Sequence, residues 1–382
     1  MVDAPSQAPL LDPQFPLAAP LRHAVSHRID TFLARQASEL TALQPEIGPV
    51  LAMASRLLAG GKRLRPAFCV WGYVAAAGLD PNLVDCDPED PAIEAVLIAA
   101  GSLELLHVSA LVHDDVIDGS DTRRGAPAAH RQFEDLHRGQ DRLGEPGGFG
   151  RAGAILLGDL LMMWSVEMLE NAGLSAQVAA LARPIAQAMR TEVICGQYLD
   201  VLAQSRRWDA DAERALAEGN RIVEYKSARY TVYRPAQLGA AIGGADPRVH
   251  EVLARYGSPL GRAFQFRDDL LGVFGDPAVT GKPVGEDLRE GKRTVLIATT
   301  MAHTDRAGRD LLVRLLGDPD LDDAGVTALQ QTITASGARE ALEARITAQH
   351  RDAVAALADP MISESGRSAL TALASAAIHR DT

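Results

Sequence analysis

The chain has 382 residues and a formal net charge of −12, with 47% hydrophobic and only 4% aromatic residues. An acidic balance of this size argues against nucleic acid as a partner, since nucleic-acid-binding domains present clustered positive charge. We find no apolar run of the roughly 18 residues that a membrane-spanning helix needs and no signal peptide, so we expect no transmembrane segment. The three cysteines, Cys69, Cys86 and Cys195, are far apart and are interpreted as free thiols of a cytoplasmic protein.

Two regions follow from composition and periodicity. Residues 1 to about 20 contain five prolines and few periodic apolar positions, which predicts a disordered or loosely attached arm. From 21 to 382 strand-type alternation is hard to find, and the pattern predicts a single all-α domain of long, mostly antiparallel helices around a central cavity. Helices are predicted at residues 21–43, 46–59, 65–77, 90–117, 127–137, 150–171, 175–203, 209–242, 247–274, 289–303, 306–315, 322–335 and 338–376.

A basic turn with the sequence GGKRLRP, residues 60–66, separates the second and third predicted helices. Its glycines release the chain from the preceding helix, and Pro66 can begin the next one. Lys62 and Arg65 are thereby held near a helix start, where backbone N–H groups also face an anion. The turn is a candidate diphosphate-binding site, although a solvated basic turn would have the same composition.

Three carboxylates within five residues, Asp114, Asp115 and Asp118, end the fourth predicted helix. Asp114 and Asp118 lie one turn apart on one face of this apolar helix, where two anions repel each other unless a cation lies between them. Mg²⁺ prefers such oxygen ligands, so the cluster is a candidate metal site; the alternative is a solvated acidic helix end. His107 lies two turns earlier on the same face, where it is either a core histidine or part of the site.

Basic residues and a second acidic pair extend this pattern. Arg123 and Arg124 follow the first cluster closely, and Arg is suited to bidentate contacts with phosphate oxygens, although a surface ion-pair network would look similar. Much later in the chain, Asp268 and Asp269 lie together in another apolar helical run. Two such clusters indicate a ligand that needs both, and a diphosphate neutralised by several Mg²⁺ ions fits that need.

These motifs resemble those of the trans-prenyl diphosphate synthases, the polyprenyl synthetase family. The segments GGKRLRP, HDDVID, RRG, YKSARYT, FQFRDD and GKPVGEDLREGKRT occur in the family's order and at its spacings, over roughly residues 45 to 300. The sequence is most similar to geranylgeranyl and farnesyl diphosphate synthases of actinobacteria. The resemblance implies the isoprenoid-synthase fold, a homodimer and a transferase that condenses isopentenyl diphosphate with allylic diphosphates. It also implies three Mg²⁺ ions as cofactor, with Mn²⁺ able to substitute.

The resemblance implies roles for individual residues. The metal ligands would be Asp114, Asp118 and Asp268. The catalytic set would be Asp114, Asp115, Asp118, Asp268, Asp269, Arg123, Lys226 and Lys282. The allylic diphosphate would contact Arg123, Lys226, Ser227, Gln265 and Lys282. The diphosphate of isopentenyl diphosphate would contact Gly61, Lys62, Arg65, His107 and Arg124.

Two positions depart from the family's pattern. Gly272 stands where many relatives have a third Asp, so Asp276 or a water would complete the metal shell, with the part of Asp287 left open. Ser227 stands where many relatives have Thr, and its hydroxyl keeps the same hydrogen-bonding capacity.

Product length is set in this family by the residues four or five positions before the first Asp, where bulky side chains close the cavity early. Here those positions are the small Ala110 and Ser109, which favours geranylgeranyl diphosphate, C20, as main product, with farnesyl diphosphate next. A farnesyl or longer-chain polyprenyl diphosphate synthase is the alternative. A class I terpene cyclase would not need the second diphosphate pocket of GGKRLRP and RRG, and a non-catalytic prenyltransferase subunit would typically have lost carboxylates that this chain retains.

Overall fold

The computed structural model describes residues 9–77, 88–207, 211–276 and 284–379. Within those ranges the only β-structure is an antiparallel hairpin of β1, Thr122–Arg123, and β2, Ala126–Pro127, which confirms the predicted all-α class. A 3₁₀ turn, Pro45–Ile47, precedes α2, and a π-helix, Val223–Tyr233, joins α8 to α9. The α-helices are α1 Ala19–Leu43, α2 Gly48–Leu58, α3 Leu64–Ala77, α4 Pro91–Asp118, α5 Ala129–Gly139, α6 Pro146–Glu170, α7 Ala176–Ser205, α8 Ala212–Ile222, α9 Arg234–Ile242, α10 Pro247–Phe274, α11 Glu286–Arg289, α12 Val295–His303, α13 Arg306–Leu315, α14 Asp323–Ala335, α15 Ala338–Ala356 and α16 Glu364–Ile378.

Two predicted helices are subdivided in the structure. The predicted helix 209–242 consists of α8, the π-helix and α9, because the helical repeat widens in its middle. The predicted helix 338–376 ends at Ala356 and resumes at Glu364. Pro360 lies in this break, and proline disfavours the α conformation of the residue before it.

The N-terminal arm is packed where the structure describes it, which corrects the prediction of a loose segment for residues 9–20. Leu11 is only 2% exposed, and the indole Nε1 of Trp71 donates a hydrogen bond to the Pro16 carbonyl oxygen at 3.0 Å. A proline-rich segment lacks helical periodicity, yet its apolar side chains and free carbonyl groups still find buried partners. Residues 1–8 lie outside the described part of the chain.

Contacts divide the predicted single domain into two compact units, each assembled from segments that are far apart in sequence. Unit 1 comprises the chain up to Ile185 together with Pro235–His250 and Asp359–Leu373. Unit 2 comprises Ala186–Arg234, Glu251–Ala358 and the chain from Ala374 onward.

Unit 1 is organised around the buried helix α4, which packs against α1, α3 and α6. Pro91 begins the helix, and the Asp90 side chain caps it by accepting hydrogen bonds from backbone N–H groups of the first turn. α4 and α6 approach closely at Gly158, where an added Cβ would lie 2.8 Å from Cε1 of His113. Ser109 Oγ donates a hydrogen bond to the Gly158 carbonyl oxygen at 2.7 Å. This contact fixes which face of α4 is turned towards α6.

Helices α4 and α6 each contain an 18-residue stretch that could cross a membrane by length and composition, which corrects the expectation that no such stretch exists. In α4, 78% of the stretch is buried inside the protein, as in the core helix of a soluble protein. In α6 the buried share is 44%, because one apolar face of this helix is exposed.

Unit 2 contains the π-helix, which continues α8, while α12 packs against α8 and α15. The backbone of the π-helix approaches α7 and α10 closely because glycines occupy the contact positions. A Cβ at Gly196 of α7 would lie 2.6 Å from Cα of Lys226, and one at Gly261 of α10 would lie 2.5 Å from Cα of Ala228. The segment that contains Lys226 is therefore held on two sides.

Candidate active site

The first acidic motif lies at the C-terminus of α4, and its three carboxylates differ in environment. Asp115 is 2% exposed and accepts hydrogen bonds from Arg123, through Nε at 2.8 Å and also through Nη2. Asp114 and Asp118 are partly exposed, and Arg123 Nη2 lies 3.9 Å from Asp114 Oδ2. α4 ends at Asp118 and is followed by Gly119, whose φ of 68° requires little strain for glycine. Asp115 thus orients Arg123, whereas Asp114 and Asp118 have partly exposed side chains.

The hairpin after α4 presents two consecutive arginines. Arg124 has a φ of 53° and Gly125 a φ of 75°, which turns the chain tightly between β1 and β2. Arg124 lies over the basic turn, since a Cβ at Gly61 would be 3.8 Å from its Nη1. Burial is the largest cause and lowers the pKa of Arg124; the carboxylate of Glu104 opposes it, and the charges of Arg123, Arg63 and Arg65 add smaller lowering effects. The guanidinium therefore lies partly buried among other arginines and one carboxylate.

The basic turn contains one structural arginine and two residues with more open side chains. Arg63 is 4% exposed, and its Nη1 lies 2.9 Å from Glu104 Oε2 while its Nη2 donates to the Leu58 carbonyl oxygen at 2.6 Å. Lys62 is exposed and Arg65 is partly exposed. Arg63 was not predicted as a site residue, and its buried pair with Glu104 indicates that it fixes the turn instead of binding a ligand.

His107 lies within this positive cluster. Burial lowers its pKa well below the ordinary value, and Arg65, Arg124, Arg123 and Arg63 lower it further in that order. His107 is therefore neutral at pH 7. Arg63 and Arg123 are already paired with the carboxylates of Glu104 and Asp115. An anion bound near His107 would therefore be stabilised chiefly by Arg65 and Arg124. Unit 1 thus brings together the residues predicted for the diphosphate of isopentenyl diphosphate.

The second acidic motif lies on α10 in unit 2. Asp269 is 2% exposed, and its Oδ1 accepts a hydrogen bond from Gln265 Nε2 at 2.8 Å. Burial raises the pKa of Asp269 to about 8; the Gln265 hydrogen bond opposes the rise, and the carboxylates of Asp287, Asp268 and Asp200 add to it. Among the described residues, Asp269 Oδ2 is buried without a hydrogen-bond partner. Carboxylates are the ligand type that a divalent cation prefers, but among the described residues no three or more of them converge closely enough to form a ready metal site.

Lys226 and Ser227 lie on the π-helix, and sequence reasoning missed the partner of Lys226. Lys226 Nζ lies 2.6 Å from Oδ2 of Asp200, a residue of α7 that is 8% exposed. Ser227 is 6% exposed. The sequence shows only that Asp200 stands one helical turn after Gly196; its burial, which makes the acid need a cation or a metal, is seen in the structure. Lys282 lies outside the described residues.

The family model described as polyprenyl synthetase matches residues 49–333 of this chain. The chain belongs to this family. It is a short-chain trans-prenyl diphosphate synthase with the all-α isoprenoid-synthase fold, a prenyltransferase that acts on isoprenyl diphosphates. Enzymes of this family use divalent metal ions.

Relatives of different product length match this synthase. A (2E,6E)-farnesyl diphosphate synthase of Mycobacterium tuberculosis is 35% identical over 282 residues, 73% of this chain and 68% of the relative. A geranylfarnesyl diphosphate synthase of Aeropyrum pernix is 32% identical over 75% of this chain and 80% of its own. The crystal structure of a geranylgeranyl pyrophosphate synthase from Corynebacterium glutamicum, complexed with isoprenyl diphosphate and magnesium, is 38% identical, with a TM-score of 0.87 over 97% of this chain and 100% of its own.

At Gly272, where many relatives have a third Asp, this polyprenyl synthetase has the carboxylate of Asp287 nearby. A Cβ at Gly272 would lie 2.9 Å from Oδ1 of Asp287 and closer still to Oδ2, so the Asp287 carboxylate occupies the space next to position 272. Lys292 Nζ lies 3.8 Å from Asp287 Oδ1 and 2.7 Å from Glu290 Oε2. Asp287 thus places a carboxylate next to the second motif. The sequence left its part open because the two segments are separated by a loop.

Proposed function

We propose that this synthase makes geranylgeranyl diphosphate, C20, as its main product, with farnesyl diphosphate next. The observation that supports this is the environment of Ala110. Ala110 lies one turn before Asp114, on the same face of α4 as His107 by helical spacing, and its side chain is partly exposed. A methyl group at this position leaves room for a chain longer than C15. The likeness to the Corynebacterium enzyme, which is a geranylgeranyl pyrophosphate synthase, is consistent with that length.

We assign two diphosphate sites to the predicted residues. Isopentenyl diphosphate binds at the positive cluster of unit 1, made of Gly61, Lys62, Arg65, His107 and Arg124. The position of the Arg124 guanidinium over Gly61, with Arg65 near the neutral His107, supports this assignment. For the allylic diphosphate, the resemblance to the family implies the residues of both acidic motifs together with Arg123, Lys226, Ser227, Gln265 and Lys282.

Three Mg²⁺ ions, or Mn²⁺ in their place, fit the acidic motifs, with Asp114, Asp118 and Asp268 as ligands. Carboxylate oxygens suit these hard cations, and the buried Asp269 Oδ2 without a described hydrogen-bond partner supports a cation nearby. When bound, the ions would neutralise the allylic diphosphate and stabilise it as a leaving group.

The proposed reaction uses no side-chain nucleophile. The bond between C1 of the allylic substrate and its diphosphate oxygen breaks, and the electron pair leaves with the diphosphate. Arg123, oriented by Asp115, and Lys226, oriented by Asp200, stabilise the developing negative charge. The double bond of isopentenyl diphosphate forms the new bond from its C4 to C1, and a proton then passes to the released diphosphate. Apolar walls must exclude water, which would otherwise capture the allylic cation.

Product analysis tests this proposal directly. The purified enzyme with Mg²⁺, labelled isopentenyl diphosphate and dimethylallyl, geranyl or farnesyl diphosphate should give mainly C20 product from each starter. Chains that stop at C15, or that extend well beyond C20, would contradict the assignment of length while leaving the prenyltransferase activity intact. Hydrocarbon formed from geranylgeranyl diphosphate alone would indicate a cyclase.

We also propose a homodimer whose interface includes the exposed apolar face of α6. Ile155, Leu156 and Met163 are 45%, 66% and 64% exposed and lie at helical spacing, an arrangement that favours contact with a second copy. The double substitution of Leu156 and Met163 by Glu should convert a dimeric molar mass, measured by light scattering, to a monomeric one. Met361→Glu is the control. Met361 is an apolar residue outside α6 that is 38% exposed, so its substitution should leave the mass unchanged. An unchanged mass in the double variant would remove α6 from the interface.

The cysteines support a cytoplasmic location for the enzyme. Cys69 is buried and Cys195 is exposed, and both are free thiols, as expected in a reducing compartment. Cys86 lies outside the described residues.

A further inference from the structure

The π-helix is an unusual support for functional side chains. It runs from Val223 to Tyr233, which is long for a structure that generally appears as a single widened turn, often at a functional site. A π-helix lacks the favourable packing of an α-helix, so its neighbours must stabilise it. Lys226 and Ser227 lie in its first half. Whatever holds this segment therefore determines where those two side chains point.

Two partly buried carboxylates, Glu192 and Glu224, hold the π-helix through arginines. Glu192 of α7, whose side chain is 14% exposed, accepts from Arg229 Nη1 at 2.7 Å. It also accepts from Arg234 in a bidentate manner, through Nε at 2.8 Å and Nη2 at 2.6 Å. Burial opposes the ionisation of Glu192, but the hydrogen bonds from Arg234 and Arg229 outweigh it, so the pKa of Glu192 lies below its ordinary value. Glu192 is therefore charged and ties both arginines to α7.

Glu224 connects the same arginine to α10. Its Oε1 accepts from Arg229 Nε at 3.0 Å and from Ser258 Oγ at 2.6 Å. Its Oε2 accepts from Arg262 Nη1 at 3.2 Å. Arg229 thus bridges two carboxylates, and the chain of ion pairs runs from α7 through the π-helix to α10.

The contacts of α7 recur at every fourth residue along one face of the helix. Glu192 binds Arg229 and Arg234, Gly196 admits the backbone at Lys226, and Asp200 binds Lys226 Nζ. One stripe of α7 therefore contacts the π-helix at three successive turns. Removing one partner of such a partly buried pair leaves an uncompensated charge, so the segment would have to shift.

We propose that Glu192 and Glu224 are positioning residues that hold the π-helix through Arg229, and so place Lys226 and Ser227 against the allylic diphosphate. Neither carboxylate needs to touch the substrate. The inference rests on the proposed role of Lys226 and Ser227, and it adds a specific prediction: the loss of either carboxylate affects the allylic substrate and not isopentenyl diphosphate.

The test measures steady-state kinetics for each of the two substrates in Glu192→Gln and Glu224→Gln. Misplacement of a binding group by about 1 Å costs up to about a hundredfold in rate, so kcat/KM for the allylic diphosphate should fall about tenfold to a hundredfold. The KM for isopentenyl diphosphate should stay within about twofold, because the positive cluster of unit 1 is unaltered. General destabilisation would instead lower the melting temperature and change the kinetic constants of both substrates to the same degree.

Two further variants distinguish an error in the positioning role from an error in the assigned allylic site. Glu343→Gln breaks a matched bidentate pair with Arg267, at 2.7 and 2.8 Å, on another face of α10, and should leave both KM values unchanged. Lys226→Met tests the site assignment itself and should weaken the allylic substrate at least as much as Glu192→Gln. If Lys226→Met has that effect while both glutamate variants match the wild type, the positioning role is wrong. If Lys226→Met has no effect, the assigned allylic site is wrong.

Discussion

Asp114→Asn and Asp268→Asn should each lower kcat by about a hundredfold or more, the loss expected when one stabiliser of transition-state charge is removed. The amide keeps the shape of the carboxylate but removes the negative charge that a divalent cation requires. Asp114 is partly exposed on α4, and Asp268 lies beside the buried Asp269 on α10. Both substitutions should therefore act on metal and diphosphate binding with little effect on folding.

The measurement combines steady-state kinetics with binding. Titration calorimetry with inorganic diphosphate and Mg²⁺ should give much weaker binding in both variants, while circular dichroism and the melting temperature stay close to the wild type. Asp121→Asn is a matched control, because the Asp121 carboxylate is 70% exposed and pairs with Arg131. It should leave kcat unchanged. Near-normal kcat in both Asp114→Asn and Asp268→Asn would rule out the metal assignment.

The sequence predicts the residues of α4 well because one helix contains them all. A repeat of 3.6 residues puts His107, Ala110, Asp114 and Asp118 on one face, and the structure has each of them partly exposed. The same reasoning cannot show that Asp115 is buried against Arg123, since that depends on the hairpin after the helix. Periodicity within an element is thus predictable, whereas pairing with the next element is not.

The residues missed by sequence reasoning are those whose partners come from distant segments. Asp200 and Lys226 belong to different helices, and Asp287 reaches the space beside Gly272 from beyond a loop. The π-helix has an ordinary helical composition, and its wider turn is stabilised by tertiary contacts such as those of Glu192. Such contacts override local propensity, which is why the chain between Ala212 and Ile242 was predicted as part of one continuous helix.

Ala110→Phe should shift the main product from C20 to C15 or shorter. The partly exposed methyl group of Ala110 lies one turn before Asp114, so a phenyl ring there would fill the space into which the growing chain extends. Turnover with dimethylallyl diphosphate should persist, because the diphosphate sites are unaltered. Product chain length is measured by chromatography of the labelled products after phosphatase treatment.

Ser109→Phe separates this effect from a general disturbance of α4. Ser109 is fully buried, and its Oγ donates to the Gly158 carbonyl oxygen, so its side chain is directed towards α6. A phenyl ring there overpacks the contact between the two helices and should cost about 1–3 kcal/mol of folding stability, measured by denaturant unfolding. Because this side chain is directed towards α6, we no longer expect position 109 to limit the product, in contrast to the expectation from the sequence, and product length should be unchanged in the folded fraction. If instead Ser109→Phe shortens the product and Ala110→Phe does not, the growing chain runs along the α6 side of α4, and the assignment of Ala110 as the length-determining residue is wrong.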